Sequence, residues 1–154
     1  MNAIYIDADG CPVKDEVYRV AQRHGLKVFV VANAWMKVPP GGMVEMVLAG
    51  SAFDAADNWI AEHAVADDVV VTADIPLAAR CVEKGVRTLD SKGRVFTPES
   101  IGDTLATRNL LAGLRETGQV TGGPAPFAPR DRSQFLHKLD EIIRAACKAR
   151  QDLS

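Results

Sequence analysis

The sequence has no apolar run near the ~18–20 residues that a membrane span needs. Its opening segment, Met1-Asn2-Ala3-Ile4-Tyr5-Ile6-Asp7, has no positive flank and meets an acid after a few apolar residues, so it does not read as a signal peptide. Cysteine is scarce: Cys11, Cys81 and Cys147 are three, widely spaced and without a C-x-x-C pair, which argues against a disulfide framework or a cysteine zinc site. The chain is expected to be cytoplasmic. Histidine is equally sparse, and His24, His63 and His137 lack ligand spacing and read as helix-face residues. Neither G-x-G-x-x-G nor G-x-x-x-x-G-K-[ST] occurs, so nothing supports dinucleotide or nucleoside-triphosphate binding. Net charge is only −2, which excludes a chain-wide basic field. The acids sit forward: residues 1–100 carry 14 Asp/Glu against 10 Lys/Arg, and residues 101–154 carry 6 against 8.

What is present is a globular composition, 154 residues with 47% apolar and 25% charged, enough for one domain. Strand-like and helix-like segments alternate. Strands are expected at Ala3–Asp7, Lys27–Ala32, Asp68–Ala73 and Val86–Asp90, with a weaker one at Val44–Ala49. Helices are expected at Val13–His24, Phe53–Ala64, Pro76–Lys84 and roughly Pro98–Glu116. On the second of these, Ala56, Trp59, Ile60 and His63 fall along one side. A Gly/Pro-rich connector, Thr117–Pro129, leads to a last amphipathic helix near Arg132–Arg150, with Phe135, Leu136, Leu139, Ile142, Ile143 and Ala146 inward. The pattern predicts a single α/β domain, with a mostly parallel central sheet between helices and a C-terminal helical extension. Its core covers about residues 1–116, the connector 117–130 and the final helix 131–150.

In such a sheet ligands gather beyond the carboxyl ends of the strands. Acids fall there: Asp7 and Asp9 after the first strand, Asp74 after Asp68–Ala73, and Asp54 and Asp57 opening the helix after Gly50. Any one of them, Asp54 and Asp74 above all, reads equally well as a helix N-cap or a solvated surface charge. Joint placement of Asp7, Asp57 and Asp74 at one edge asks for a common cause. Clustered carboxylates repel by ~1–4 kcal/mol per pair at 4 Å. Oxygen donors without nearby His or Cys point to Mg²⁺ or Mn²⁺, with Asp54 and Asp9 auxiliary, and to phosphoester chemistry. Asp67-Asp68 reads as a turn, and Asp90 as a fourth ligand or a turn opener. Cys11 reads as a packing residue, and Trp35 and Met36 as core, with the lining of a groove as the alternative. Arg80, Lys92 and Arg94 follow strand ends and either meet phosphates or are solvated.

Longer motifs carry a resemblance. Ile6-Asp7-Ala8-Asp9-Gly10-Cys11-Pro12-Val13-Lys14, Phe53-Asp54-Ala55-Ala56-Asp57-Asn58-Trp59-Ile60 and Val71-Thr72-Ala73-Asp74-Ile75-Pro76-Leu77-Ala78-Ala79-Arg80 resemble the signature of the YaiI/YqxD family of uncharacterised bacterial proteins. Thr121-Gly122-Gly123-Pro124, Pro126-Phe127 and Arg130-Asp131-Arg132 match as well, so the likeness spans the chain, with Gly10 standing where the family usually has Ala. That family is similar to the PIN-like nuclease superfamily, a three-layer α/β/α fold whose active members bind Mg²⁺ or Mn²⁺ through acids at strand ends. The resemblance implies a nuclease acting on RNA or single-stranded DNA, with Asp7 and Asp74 as catalytic acids and Asp7, Asp9, Asp54, Asp57 and Asp74 as candidate metal ligands. A fourth superfamily acid has no clear counterpart. Lys14, Arg80, Lys92, Arg94, Arg130 and Arg132 are the candidate nucleic-acid contacts.

Two other readings stand beside it. Asp7-Ala8-Asp9 fits the D-x-D opening of a haloacid-dehalogenase-type phosphatase with Asp7 as nucleophile, and Thr72 fits its second motif. Against it, Gly102-Asp103 lies inside a predicted helix, where that class needs a paired acid after a strand. A non-catalytic nucleic-acid or protein-binding module would instead use the basic tail of Arg130, Arg132, Lys138, Arg144, Lys148 and Arg150.

Overall fold

The structure, a computed structural model, describes residues 3–9, 11–50, 54–102 and 127–153. The strands are β1 (Ala3–Asp7), β2 (Lys27–Ala32), β3 (Val44–Leu48), β4 (Val69–Val71) and β5 (Arg87–Leu89). They form one sheet in the order β3-β2-β1-β4-β5, and every pairing is parallel. The chain builds outward from β1 to β3, then returns to the other side of β1 for β4 and β5. The reversal therefore lies between β1 and β4, where a crevice opens at the carboxyl ends.

Helices cover both faces. Helix α1 (Lys14–His24) and the last helix, α4 (Pro129–Leu153), lie on one face. Val17, Val20 and Ala21 meet Phe135, Leu139 and Ile143 there, over Ile4, Ile6, Val28, Val30, Val69, Val71 and Leu89. Helices α2 (Ala55–His63) and α3 (Ile75–Glu83) lie on the other, where Ala56, Ile60, Leu77 and Cys81 pack on Tyr5, Val31 and Val70. Continuous apolar strands such as Val69–Val71 follow from this two-sided burial.

Several boundaries differ from the sequence expectation. The strand expected at Asp68–Ala73 is only three residues long, because Asp68 is engaged elsewhere. Its buried carboxylate accepts from Ala3 N and Val65 N, both at 2.9 Å, and so ties the start of β1 to the turn before β4. The final helix begins at Pro129, inside the expected connector. Proline suits a first helical turn, and Asp131 Oδ2 accepts from Ala128 N at 2.9 Å to cap it. On α2, Trp59 is half-buried and His63 exposed, stacked on each other at 3.9 Å, while Ala61 rather than either completes the buried stripe. Trp35 is not core: it is 70% exposed. Helical backbone starts at 98, but 103–116 of the expected helix, residues 117–126 of the connector, Phe53, Gly10 and Asp103 lie outside the described residues.

Candidate functional site

Each expected acid is delivered by a different piece of chain. Asp7 is the last residue of β1, half-buried beside the reversal in strand order. Asp9 follows it after Ala8, whose N–H still bonds Val31 O on β2. Asp57 sits in the first turn of α2, and Asp74 is the N-cap of α3. Asp7, Asp9, Asp57 and Asp74 all line one cavity of about 310 Å³ outside the carboxyl ends of β1 and β4. Asp54 is not in its lining; it is the exposed N-cap of α2 and acts on the cavity only through its charge beside Asp57.

Asp74 does two jobs. Its Oδ1 caps α3 by accepting from Leu77 N at 2.9 Å, and its carboxylate stands near enough to Asp57 to raise that carboxyl. The capping and cavity readings of this residue are therefore both met. Thr72 joins the two strand ends: its hydroxyl accepts from Asp74 N at 3.0 Å and donates to Asp7 Oδ2 at 2.7 Å. Burial pushes the Asp7 carboxyl above the ordinary range, the Thr72 bond pulls it back, and the charges of Asp74 and Asp9 raise it again. Asp57 is pushed up to about 6, first by burial and then by the Asp74 and Asp7 charges, the Asp74 hydrogen bond and Asp54. Asp57 thus keeps its proton at a pH where an isolated carboxyl would have lost it. Among the described residues no group of three or more Asp, Glu, His or Cys side chains is drawn together as a metal site.

The same cavity holds residues the sequence did not single out as site residues. Asn33 follows β2 at the same edge, lines the cavity, and has its Oδ1 buried without a hydrogen-bond donor. Its N–H meets Asp9 Oδ2 at 3.4 Å. Ser91, one residue past Asp90, and Thr72 also line it. The rule that finds acids at strand ends would have found Asn33 and Thr72 had it been applied to neutral oxygens as well. Cys11 borders the cavity too, with burial pushing its thiol up, which fits a packing role rather than a nucleophile.

No Lys or Arg is among the described lining residues. Arg132, expected at nucleic acid, is an internal fastener: it bonds the buried Glu16 at 2.8 Å and Pro12 O at 2.9 Å, and stacks on Phe127. Arg94 pairs with Asp90 at 3.0 Å. Asp90 also accepts from the Lys92 and Arg94 amides, as a turn opener does, and is not in the cavity lining. Arg80 does not stand at the strand end. It lies ~7.5 Å along α3 from its first residue and bonds Asn58 Oδ1 at 2.8 Å. Lys14 Nζ donates to Cys11 O at 3.0 Å. In the tail, Lys138 pairs with Glu141 and Arg144 with Asp140. Among the described residues, Lys92 and Arg130 have no carboxylate within salt-bridge reach.

Comparison with known proteins decides the family. The model described as "Uncharacterized BCR, YaiI/YqxD family" matches residues 5–145. The chain belongs to the YaiI/YqxD family. A UPF0178 protein of Bradyrhizobium sp. (strain ORS 278) is 57% identical over 147 residues, covering 96% of this chain and 90% of that protein. A UPF0178 protein of Nitrobacter winogradskyi is 56% identical over 151 residues, covering 96% of both. Another, from Rhodopseudomonas palustris (strain HaA2), is 56% identical over 147 residues. No solved structure matches the chain. In this YaiI/YqxD chain the matched segment contains every acid of the cavity. No described helix is long and apolar enough to cross a membrane.

Proposed function

We propose that the chain is a Mg²⁺- or Mn²⁺-dependent nuclease that hydrolyses phosphodiester bonds of RNA or single-stranded DNA. The observation that carries this reading is the meeting of Asp7, Asp57 and Asp74, from three separate segments, on one cavity with no cation among its described lining residues. Burial first, and then the neighbouring carboxylates, push Asp7 and Asp57 up, and a divalent ion would relieve the part that is repulsion. The oxygen donors of the cavity, its carboxylates and the donorless Asn33 Oδ1, suit a hard cation rather than zinc. When bound, such an ion lowers the pKa of a water and neutralises charge on the phosphate. Asp7, aimed by Thr72, and Asp74, anchored through Leu77 N, are the fixed ligands. Asp57, titrating near 6, can hold or release a proton close to neutral pH. The likeness of the motifs to PIN-like proteins supports the same conclusion.

The test is Mn²⁺ calorimetry on the wild type and Asp74→Asn, followed by incubation with mixed RNA and single-stranded DNA. Asparagine keeps the helix cap, so the variant is expected to fold. Wild type should bind the ion and cut the oligonucleotides; Asp74→Asn should weaken ion binding at least tenfold and abolish cleavage. No uptake by wild type at millimolar Mn²⁺ overturns the reading. An acid-stable phosphate on Asp7 after a quench would replace it with the phosphatase mechanism.

A further inference from the structure

The segment leaving β2 at the cavity edge carries an exposed Trp that the fold does not use. Burial alternates along it: Met36 and Val38 turn inward and pack against the α1/α4 core, while Trp35 and Lys37 are exposed. Trp35 is 70% exposed, the largest value among the exposed large apolar side chains described. The ring contacts described among Tyr5, Phe29, Trp59 and His63 do not include it. Lys37 has no carboxylate within 4 Å among the described residues. Pro39 and Pro40 stiffen the chain directly afterwards. An indole held out on an anchored segment gives up a large burial gain. Trp35 is two residues from Asn33, which lines the cavity, so their Cα atoms lie within ~7 Å of each other.

We propose that Trp35 is the stacking platform for an unpaired base of the substrate, with Lys37 meeting the adjoining phosphate, so that the strand is held beside the acidic cavity. An aromatic face binds any base without reading its identity, and a duplex, whose bases are already stacked, cannot use it. The pairing of one indole with one ammonium on the same side of the segment matches the alternation of base and phosphate in a single strand. It also supplies the cation that the cavity lining lacks. This inference rests on the nuclease reading, since it takes single-stranded nucleic acid as the ligand.

The test is fluorescence anisotropy with a labelled oligo-uridine, an oligo-deoxythymidine of equal length, a 12-base-pair duplex, and an oligo-deoxythymidine with successive abasic positions. Trp35→Ala should raise Kd for both single strands about tenfold or more, whereas Trp35→Phe, which keeps an aromatic face, should stay within about threefold. Lys37→Ala should reduce the slope of log K against log salt by about 0.7. One abasic position should reproduce the Trp35→Ala loss. Mn²⁺ uptake should be the same in all three variants. If wild type binds single strands and Trp35→Ala binds them equally well, the platform is wrong and the nuclease reading stands. If wild type takes up Mn²⁺ but binds no oligonucleotide, the nuclease reading itself fails and takes this inference with it.

Discussion

At the scale of single residues, the acidic cavity trades stability for charge. Unfolded, Asp57 would titrate near 3.9; folded, it titrates at about 6. Between those values the unfolded chain has released its proton and the folded chain has not. Stability therefore falls as pH rises from about 4 to about 6, and then levels off. Asp57→Asn removes that loss. In thermal unfolding without metal the variant should melt above wild type at pH 7.5, by about 1 kcal/mol or roughly 3 °C after allowance for solvent screening. The gap should close by pH 4. The carboxylates of the cavity were legible in the sequence because several of them fall together at strand ends, which capping one helix at a time does not explain. Asn33 was not, since neutral polar residues occur at strand ends for many reasons, and Thr72 was noticed only as a match to a phosphatase motif. Trp35 was misjudged for a related cause: hydrophobicity predicts burial, and only the alternation around Met36 and Val38 reveals which side of the segment it takes.

At the scale of elements, the junction of α1 and α4 shows what the tail's Arg132 does in the fold. Arg132 answers Glu16, far away in sequence, and a chain read in one dimension cannot show such a pair; Lys138 and Arg144 pair within their own helix. Glu16 is buried, with Oε1 held by Arg132 across 116 positions and Oε2 without a partner. At the other end of α1, Asp140 gathers His24 at 2.8 Å, Arg23 at 3.2 Å and Arg144 at 3.0 Å. His24 and Arg144 lower the Asp140 carboxyl, the His24 bond most of all. The two helices are thus fastened at both ends of their contact. Arg132→Met should cost about 1–3 kcal/mol, because it strands a buried carboxylate, while the double variant with Glu16→Leu should recover most of the loss. Urea unfolding of the three variants measures the coupling. An unchanged midpoint in Arg132→Met would mean that water serves Glu16 as well as the arginine does.

At the scale of the whole molecule, the parallel sheet and its two covered faces followed from the alternation of segments, whereas the order of strands came only with the structure. What could not be read was how closely α4 docks. Gly93, at φ +84, sits in the turn after β5, and a Cβ there would meet Gln134 O at 3.0 Å and Phe135 Cα at 3.1 Å. Both neighbours are helix backbone, which cannot swing aside. Gly93→Ala should therefore lower stability by about 1–3 kcal/mol, read as a fall in Tm of several degrees, through backbone conformation and displacement of α4 together. Phe135, Leu139 and Ile143 share one core with Ile4 and Val17, the last helix closing what the first strand begins. During synthesis at 5–20 residues per second, β1 and α1 must then wait roughly 5–25 s on the ribosome before their covering helix emerges. A nascent chain of this protein exposes an oily sheet face throughout that interval, which makes it a natural client for chaperones that bind such surfaces until translation is nearly finished.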